Sequence, residues 1–439
     1  MMILNIRRRN QGTFLLLAGT LLIWMVILIL FNALGYNNTW QLWNVDPQSL
    51  PFMDFRLIPG SAESYARGYE PSVENPYDPN GRIFNYPAFW RLFFYTGISQ
   101  DDTIWVSVTM IVLFFISVIF FPEKLSTAGA LGMIAVLFSP ASMLLYERGN
   151  VDLIVFVLCV GIVLVSGVSA GTAAGLIFVG GVVKMFPIFG LSVLLREPKK
   201  RFLLFSVVSS LALLLYMLLT WDSVKAAWNF TMRGDGASYG TSVFATRYGP
   251  AIVRTFSKWF PASQIEFFMQ YGFLALAFIL FLLVILLAFR NSENPLVLSE
   301  RNLAAFRMGS SIYVGTFLLG NNWDYRLAFL VLLVPQLVQW INSSTGTLRR
   351  AAWLSMGLVL LSCWHFLIVE IPLAGIFDSA ADSMKFWIIL DEAFNWMLFA
   401  SLAFLLVASA PGWVKELPSD VLTKSVTRTH TEQRDARVN

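Results

Sequence analysis

Charged residues are scarce in this 439-residue chain: Asp, Glu, Lys and Arg together make up 13%, about half the share usual in a soluble globular protein. Cysteine and histidine occur twice each. Cys159 and Cys363 both sit inside apolar runs, so a disulfide framework, a Cys-rich zinc site and an iron–sulfur centre are excluded. With His430 in a polar C-terminal stretch, His365 cannot belong to a multi-histidine metal site. No Walker-type phosphate loop and no HExxH motif is present. The Gly234–Gly240 stretch matches no dinucleotide fingerprint and lacks the strand–helix alternation that would surround one.

Apolar residues are what the chain has in excess. They make up 57% of it, and mean hydropathy is +0.65. Runs of about 20 apolar residues, long enough to cross a bilayer core of about 30 Å, recur from end to end. They fall near 13–34, 103–121, 126–145, 151–168, 171–195, 202–220, 271–289, 304–320, 325–341, 351–369 and 387–409. This pattern predicts an all-α polytopic membrane protein with about eleven transmembrane segments and no nucleic-acid partner. The net charge of +4 is read as basic cytoplasmic flanks of membrane helices. The first run follows Arg7–Arg9, is too long for a signal-peptide core, and has no small-x-small cleavage site behind it. It is read as an uncleaved first span with a cytoplasmic N-terminus.

Basic clusters at Arg7–Arg9, Lys124, Arg196–Arg201, Arg290 with Arg301, and Arg349–Arg350 mark one side of the membrane. Three runs lie between Lys124 and Arg196, an odd number, so one of them must enter and return. The 171–195 run, interrupted by Lys184 and Pro187, is the best candidate for such a broken helical hairpin, with Lys184 at its tip. Two large external loops follow from this topology, 35–102 and 221–270, both rich in aromatics of the kind that pack at a membrane boundary as interfacial helices. Residues 1–410 form one transmembrane domain and 411–439 a polar cytoplasmic tail.

Ionisable residues near membrane boundaries carry the chemistry. Asp54 and Arg56 lie in Phe52-Met53-Asp54-Phe55-Arg56, and Glu147 with Arg148 lies in the turn between the third and fourth runs. Asp152, Lys184, Asp324, Arg326, His365 and Glu370 complete the external set. Simpler readings stand beside the functional one. Glu147–Arg148 is a solvated pair, Lys184 snorkels, His365 is a satisfied core residue, and Asp324-Tyr325-Arg326 anchors a helix at the interface. Asp54 is the hardest to explain that way, since an acid between phenylalanines is disfavoured unless paired or used.

The first external loop resembles that of glycosyltransferase family 87. The residues that carry the resemblance are Asp54-Phe55, Tyr65, Gly68-Tyr69, Asn75-Pro76-Tyr77-Asp78-Pro79 and Phe84-Asn85-Tyr86-Pro87. Ala88 stands where that family has a second proline. Arg148-Gly149-Asn150-Val151-Asp152 is similar to the family's turn before the next span, and Lys184-Met185-Phe186-Pro187 to the Lys-x-x-Pro element of C-type membrane glycosyltransferases. The resemblance covers roughly residues 13–200. It implies a C-type fold and transfer of a monosaccharide, mannose favoured or arabinose, from a polyprenyl-phosphate donor to a glycan or glycolipid acceptor. Transfer would invert the anomeric centre on the extracytoplasmic face of the plasma (inner) membrane. Asp54 is then the general base. Arg148 and Lys184, with Arg56 and Arg326 behind them, would bind the donor phosphate, and Glu147, Tyr86, Asn85, Asp324 and His365 would line the substrate site. No cofactor and no metal is called for, because the donor carries one phosphate. The competing class is a transporter or flippase of lipid-linked glycans, which would use the same buried cations and broken helix.

Overall fold

The computed structural model describes residues 2–234, 236–290, 297–373, 376–377 and 379–416, with backbone alone for 2–10. The expected tail at 411–439, with His430, lies almost wholly outside the described residues. The architecture is that of an all-α polytopic membrane protein, with 76% of residues helical. Among the described residues seven helices are long and apolar enough to cross a membrane: Gln11–Leu34, Gln100–Phe120, Lys199–Leu219, Ala262–Arg290, Asp324–Ser343, Gly346–Ile368 and Ala380–Ala408.

The other expected runs are helical but shorter, bent or charged. Asp152–Ser166, Ala170–Val183 and Phe186–Arg196 have 15, 14 and 11 residues, at most about 22 Å of α-helix against the bilayer's ~30 Å. The 304–320 run falls in Glu300–Leu318, which carries Glu300, Arg301 and a buried Arg307 bonded to the Ser409 carbonyl at 2.6 Å. The 126–145 run bends by 53° between Thr127–Leu137 and Pro140–Arg148. Pro140 cannot continue the first helix, because it lacks an N–H and its ring meets the carbonyl one turn back. Ser139 caps the second helix and donates to the Val136 carbonyl at 2.7 Å, satisfying a group the break exposes. Glu147 and Arg148, expected in a turn, form the last residues of this second helix, which ends at Gly149 in the left-handed conformation (φ +56°).

The 171–195 run is interrupted at Lys184. The Ala170–Val183 helix stops there in extended backbone (φ −159°, ψ 120°), and a tight 3-10 segment resumes at Phe186. The two arms touch: a Cβ on Gly180 would stand 2.9 Å from the ring of Pro187.

The loop aromatics do more than line a boundary. Phe55, Phe84, Tyr86, Trp90 and Phe94 are buried, with ring centroids 5.1 Å apart for Phe84–Phe94 and 5.9 Å for Tyr86–Trp90. Trp90 donates its Nε1–H to the Val183 carbonyl at 2.9 Å, so the first loop holds the residue before the Lys184 break. The 221–270 loop carries helices Trp221–Phe230 and Val243–Phe256. Between them, Ser238–Tyr239 pairs antiparallel with Asn322–Trp323, Ser238 opposite Trp323 and Tyr239 opposite Asn322.

That pairing depends on Gly240, at φ +129°, where a Cβ would lie 1.6 Å from the Gly320 carbonyl oxygen. Gly240→Ala is expected to lose more than about 1 kcal/mol, read as a lower unfolding temperature of the purified protein. Gly272→Ala is the control. It sits inside the Ala262–Arg290 helix with nothing near its Cβ position and should hold or raise stability.

Candidate functional site

Asp54 stands in the first turn of the Met53–Ala66 helix. The preceding Phe52 adopts left-handed backbone (φ 60°), an uncommon conformation for a bulky residue that its surroundings must enforce. Two contacts do so: the Phe52 N–H donates to the Glu147 carbonyl at 3.1 Å, and the Phe52 side chain packs on Gly149, where a Cβ would come within 2.8 Å. The motif after the third run thereby sets the start of the helix that carries Asp54.

One network grows from this junction. Asn150 donates its side-chain amide to Asp54 Oδ2 at 2.6 Å. Its amide oxygen accepts from Lys184 Nζ and from the Asp152 N–H, each at 3.0 Å, which fixes the orientation of the amide. Lys184 forms an ion pair with Asp152, which Arg326 Nε also contacts at 3.1 Å. Arg326 Nη1 donates to Asn322 at 2.5 Å, and its guanidinium lies 5.1 Å from the Phe186 ring centroid. Lys184 Nζ lies 5.8 Å from the ring centre of Tyr86. On the loop side, Arg82 reaches Asp54 at 3.9 Å and Asp78 at 2.8 Å. The group holds three cations, Arg82, Lys184 and Arg326, against three carboxylates, Asp54, Asp78 and Asp152. Asp152 is fully buried, whereas a quarter of the Asp54 side chain (25%) stays exposed.

Burial by itself lowers the Arg82 guanidinium, but the hydrogen bonds and charge of Asp78, then the charge of Asp54, outweigh it and hold Arg82 above its ordinary value. Burial, with the charge of Asp54 next, pushes the Tyr86 phenol well up, so it stays a neutral donor.

Of the sequence-expected residues, Asp54, Lys184, Arg326 and Tyr86 meet here. Arg56 turns away from this network. It donates to the Pro51 carbonyl at 2.9 Å and to Gln100 at 3.0 Å, so it holds the loop together, and Arg82 takes the place beside Asp54. Glu147 is spent on Tyr36, on the Gln48 N–H at 2.9 Å and on Arg148, and so orders the chain after the first span. Asn85 bonds the Phe230 carbonyl at 3.1 Å and ties the two large loops to each other.

Arg148, Asp324 and His365 belong to a second cluster. A cavity of about 290 Å³ opens beside the first, lined among others by Asp46, Arg148, Arg247, Trp323, His365 and Asp391, and by neither Asp54 nor Lys184. Asp324, fully buried, lies 3.5 Å from His365 Nε2, and Glu392 lies 3.6 Å from Arg247. Among the described residues no group of His, Cys, Asp and Glu has the arrangement of a metal site.

Sequence reasoning passed over Arg82, Asn150, Arg247, Asp391 and Glu392 as site residues. Asp391 and Glu392 carried a usable signal, two acids inside an apolar run. Asn150 and Asp152 stood within a noted motif, while nothing in the order of residues marked Arg82 or Arg247. Comparison with family models, with curated proteins and with solved structures finds no match to this chain.

Proposed function

We propose that the chain is an integral membrane glycosyltransferase of the C type. It would move a monosaccharide, mannose or arabinose, from a polyprenyl-phosphate donor to a hydroxyl of a glycan or glycolipid on the extracytoplasmic side. The observation that carries this reading is the chain of contacts Asp54–Asn150–Lys184–Asp152–Arg326, in which an accessible carboxylate is joined through the Asn150 amide to Lys184 and, by way of Asp152, to Arg326. The resemblance of the first loop to glycosyltransferase family 87 supports it.

In this mechanism Asp54 takes the proton of the acceptor hydroxyl as its oxygen bonds to the anomeric carbon. The bond from that carbon to the phosphate oxygen breaks, and polyprenyl phosphate leaves with the electron pair. Lys184 and Arg326 stabilise the charge that grows on the phosphate, with Arg82 at the edge. Asp152 holds both cations in place before the donor arrives, so little reorganisation is needed during reaction. Tyr86 forms one wall beside Lys184.

Given a labelled polyprenyl-phosphate sugar and a native lipid extract, the purified protein is expected to release polyprenyl phosphate as label appears in a glycolipid. Movement of intact donor across vesicle membranes without release would make it a transporter. The orientation has its own check. Tags at residues 75 and 240 are expected to read extracytoplasmic and a tag at 198 cytoplasmic. An external reading at 198 would remove the proposal that the hairpin enters and leaves from the cytoplasmic side.

A further inference from the structure

The second cluster contains a buried carboxylate that no ion pair satisfies. Ser362 offers a carbonyl, which only accepts, 2.9 Å from His365 Nδ1, so that nitrogen carries a proton. His365 Nε2 then faces Asp324 at 3.5 Å, and no hydrogen bond joins the two. Arg247 lies 3.6 Å from Glu392, and Arg148 is paired with Glu147. Asp391 has no ion pair of its own among the described residues, where only the more distant Arg247 and His365 act on it. It is 5% exposed, its Oδ1 accepts no hydrogen bond, and it lines the cavity. Asp46, another carboxylate, is exposed and also lines the cavity.

We propose that this cavity binds the protonated amine of an amino sugar, with Asp391 as the counterion. A buried carboxylate without a partner is strongly disfavoured, and an ammonium group supplies both the charge and the donors it lacks. The volume of about 290 Å³ lies at the small end of ligand pockets, suited to one sugar ring, and Trp323 and Phe366 on its wall offer that ring apolar faces. The site stands apart from the Asp54 network and does not depend on the glycosyltransferase reading.

The test is equilibrium dialysis of the detergent-purified full chain with labelled glucosamine, glucose and N-acetylglucosamine. Glucosamine is expected to bind saturably and at least about tenfold more tightly than the two neutral sugars, the least that a hydrogen bond to a charged group gives. Asp391→Asn should erase that preference. Ile388→Trp, which fills the cavity from its lining while keeping the carboxylate, should abolish saturable binding and covers the case in which Asp391→Asn fails to fold. Equal binding of glucose and glucosamine, no saturable binding of glucosamine, or binding that survives Ile388→Trp would each overturn the proposal.

Discussion

Asp54→Asn is expected to lower the transfer rate by at least about 10²-fold while donor affinity and the unfolding temperature stay close to native. The amide conserves the shape of the side chain but has no oxygen basic enough to hold the acceptor's proton. Two of the contacts around Asp54 make the comparison sharp. Asn150 donates to Oδ2 at 2.6 Å, and an amide oxygen accepts that bond as a carboxylate does. Arg82 is held chiefly by Asp78, so it keeps its place when the charge of Asp54 is removed. A merely structural Asp54 would therefore survive the change with its activity. Measured side by side, native transfer with native donor binding in Asp54→Asn would end the assignment of Asp54 as the base.

Lys184→Ala is expected to depress turnover by about 10²–10³-fold, the usual loss on removing one preorganised donor from a developing oxyanion. Asp152 keeps Arg326 as its partner, so one buried ion pair survives. Loss of the second partner of a buried carboxylate still destabilises the fold, by up to about 3–5 kcal/mol. Activity and stability thus have to be separated. Lys184→Arg restores the charge but carries it on a planar fork in a space shaped for a compact ammonium beside Tyr86. It should recover most of the unfolding temperature and little of the turnover. Full recovery of both by Lys184→Arg, or near-native turnover in Lys184→Ala, would move the phosphate site away from this residue.

Much of the scaffold was legible because membrane physics writes it into local composition. An apolar run of 20 residues leaves a backbone few choices but a helix, since lipid offers nothing to bond its N–H and C=O groups. The break at Lys184 was legible for a similar reason: Pro187 lacks the donor that a continuous helix needs, and a basic residue within an apolar run has to find a partner. The bend at Ser139–Pro140 had the same kind of signal but was read through as one run. Span length is overestimated at 151–168, where the helix covers only Asp152–Ser166.

The sequence by itself determined that this is a helical membrane protein with aromatic-rich loops, and that its ionisable residues gather near the ends of helices. Those properties depend on composition and on neighbours along the chain. Tertiary structure alone decided which of those residues meet. Asp54 finds Asn150 from 96 positions away, Asp152 finds Arg326 from 174, and Asp54 is faced by Arg82 where Arg56 had been the nearer cation in the chain. It also divided one expected site into two, a charge-balanced network around Asp54 and a cavity lined by the buried carboxylate of Asp391. The physical reason is that pairing of buried charges is settled by distance across packed helices, and no local pattern of residues encodes that distance.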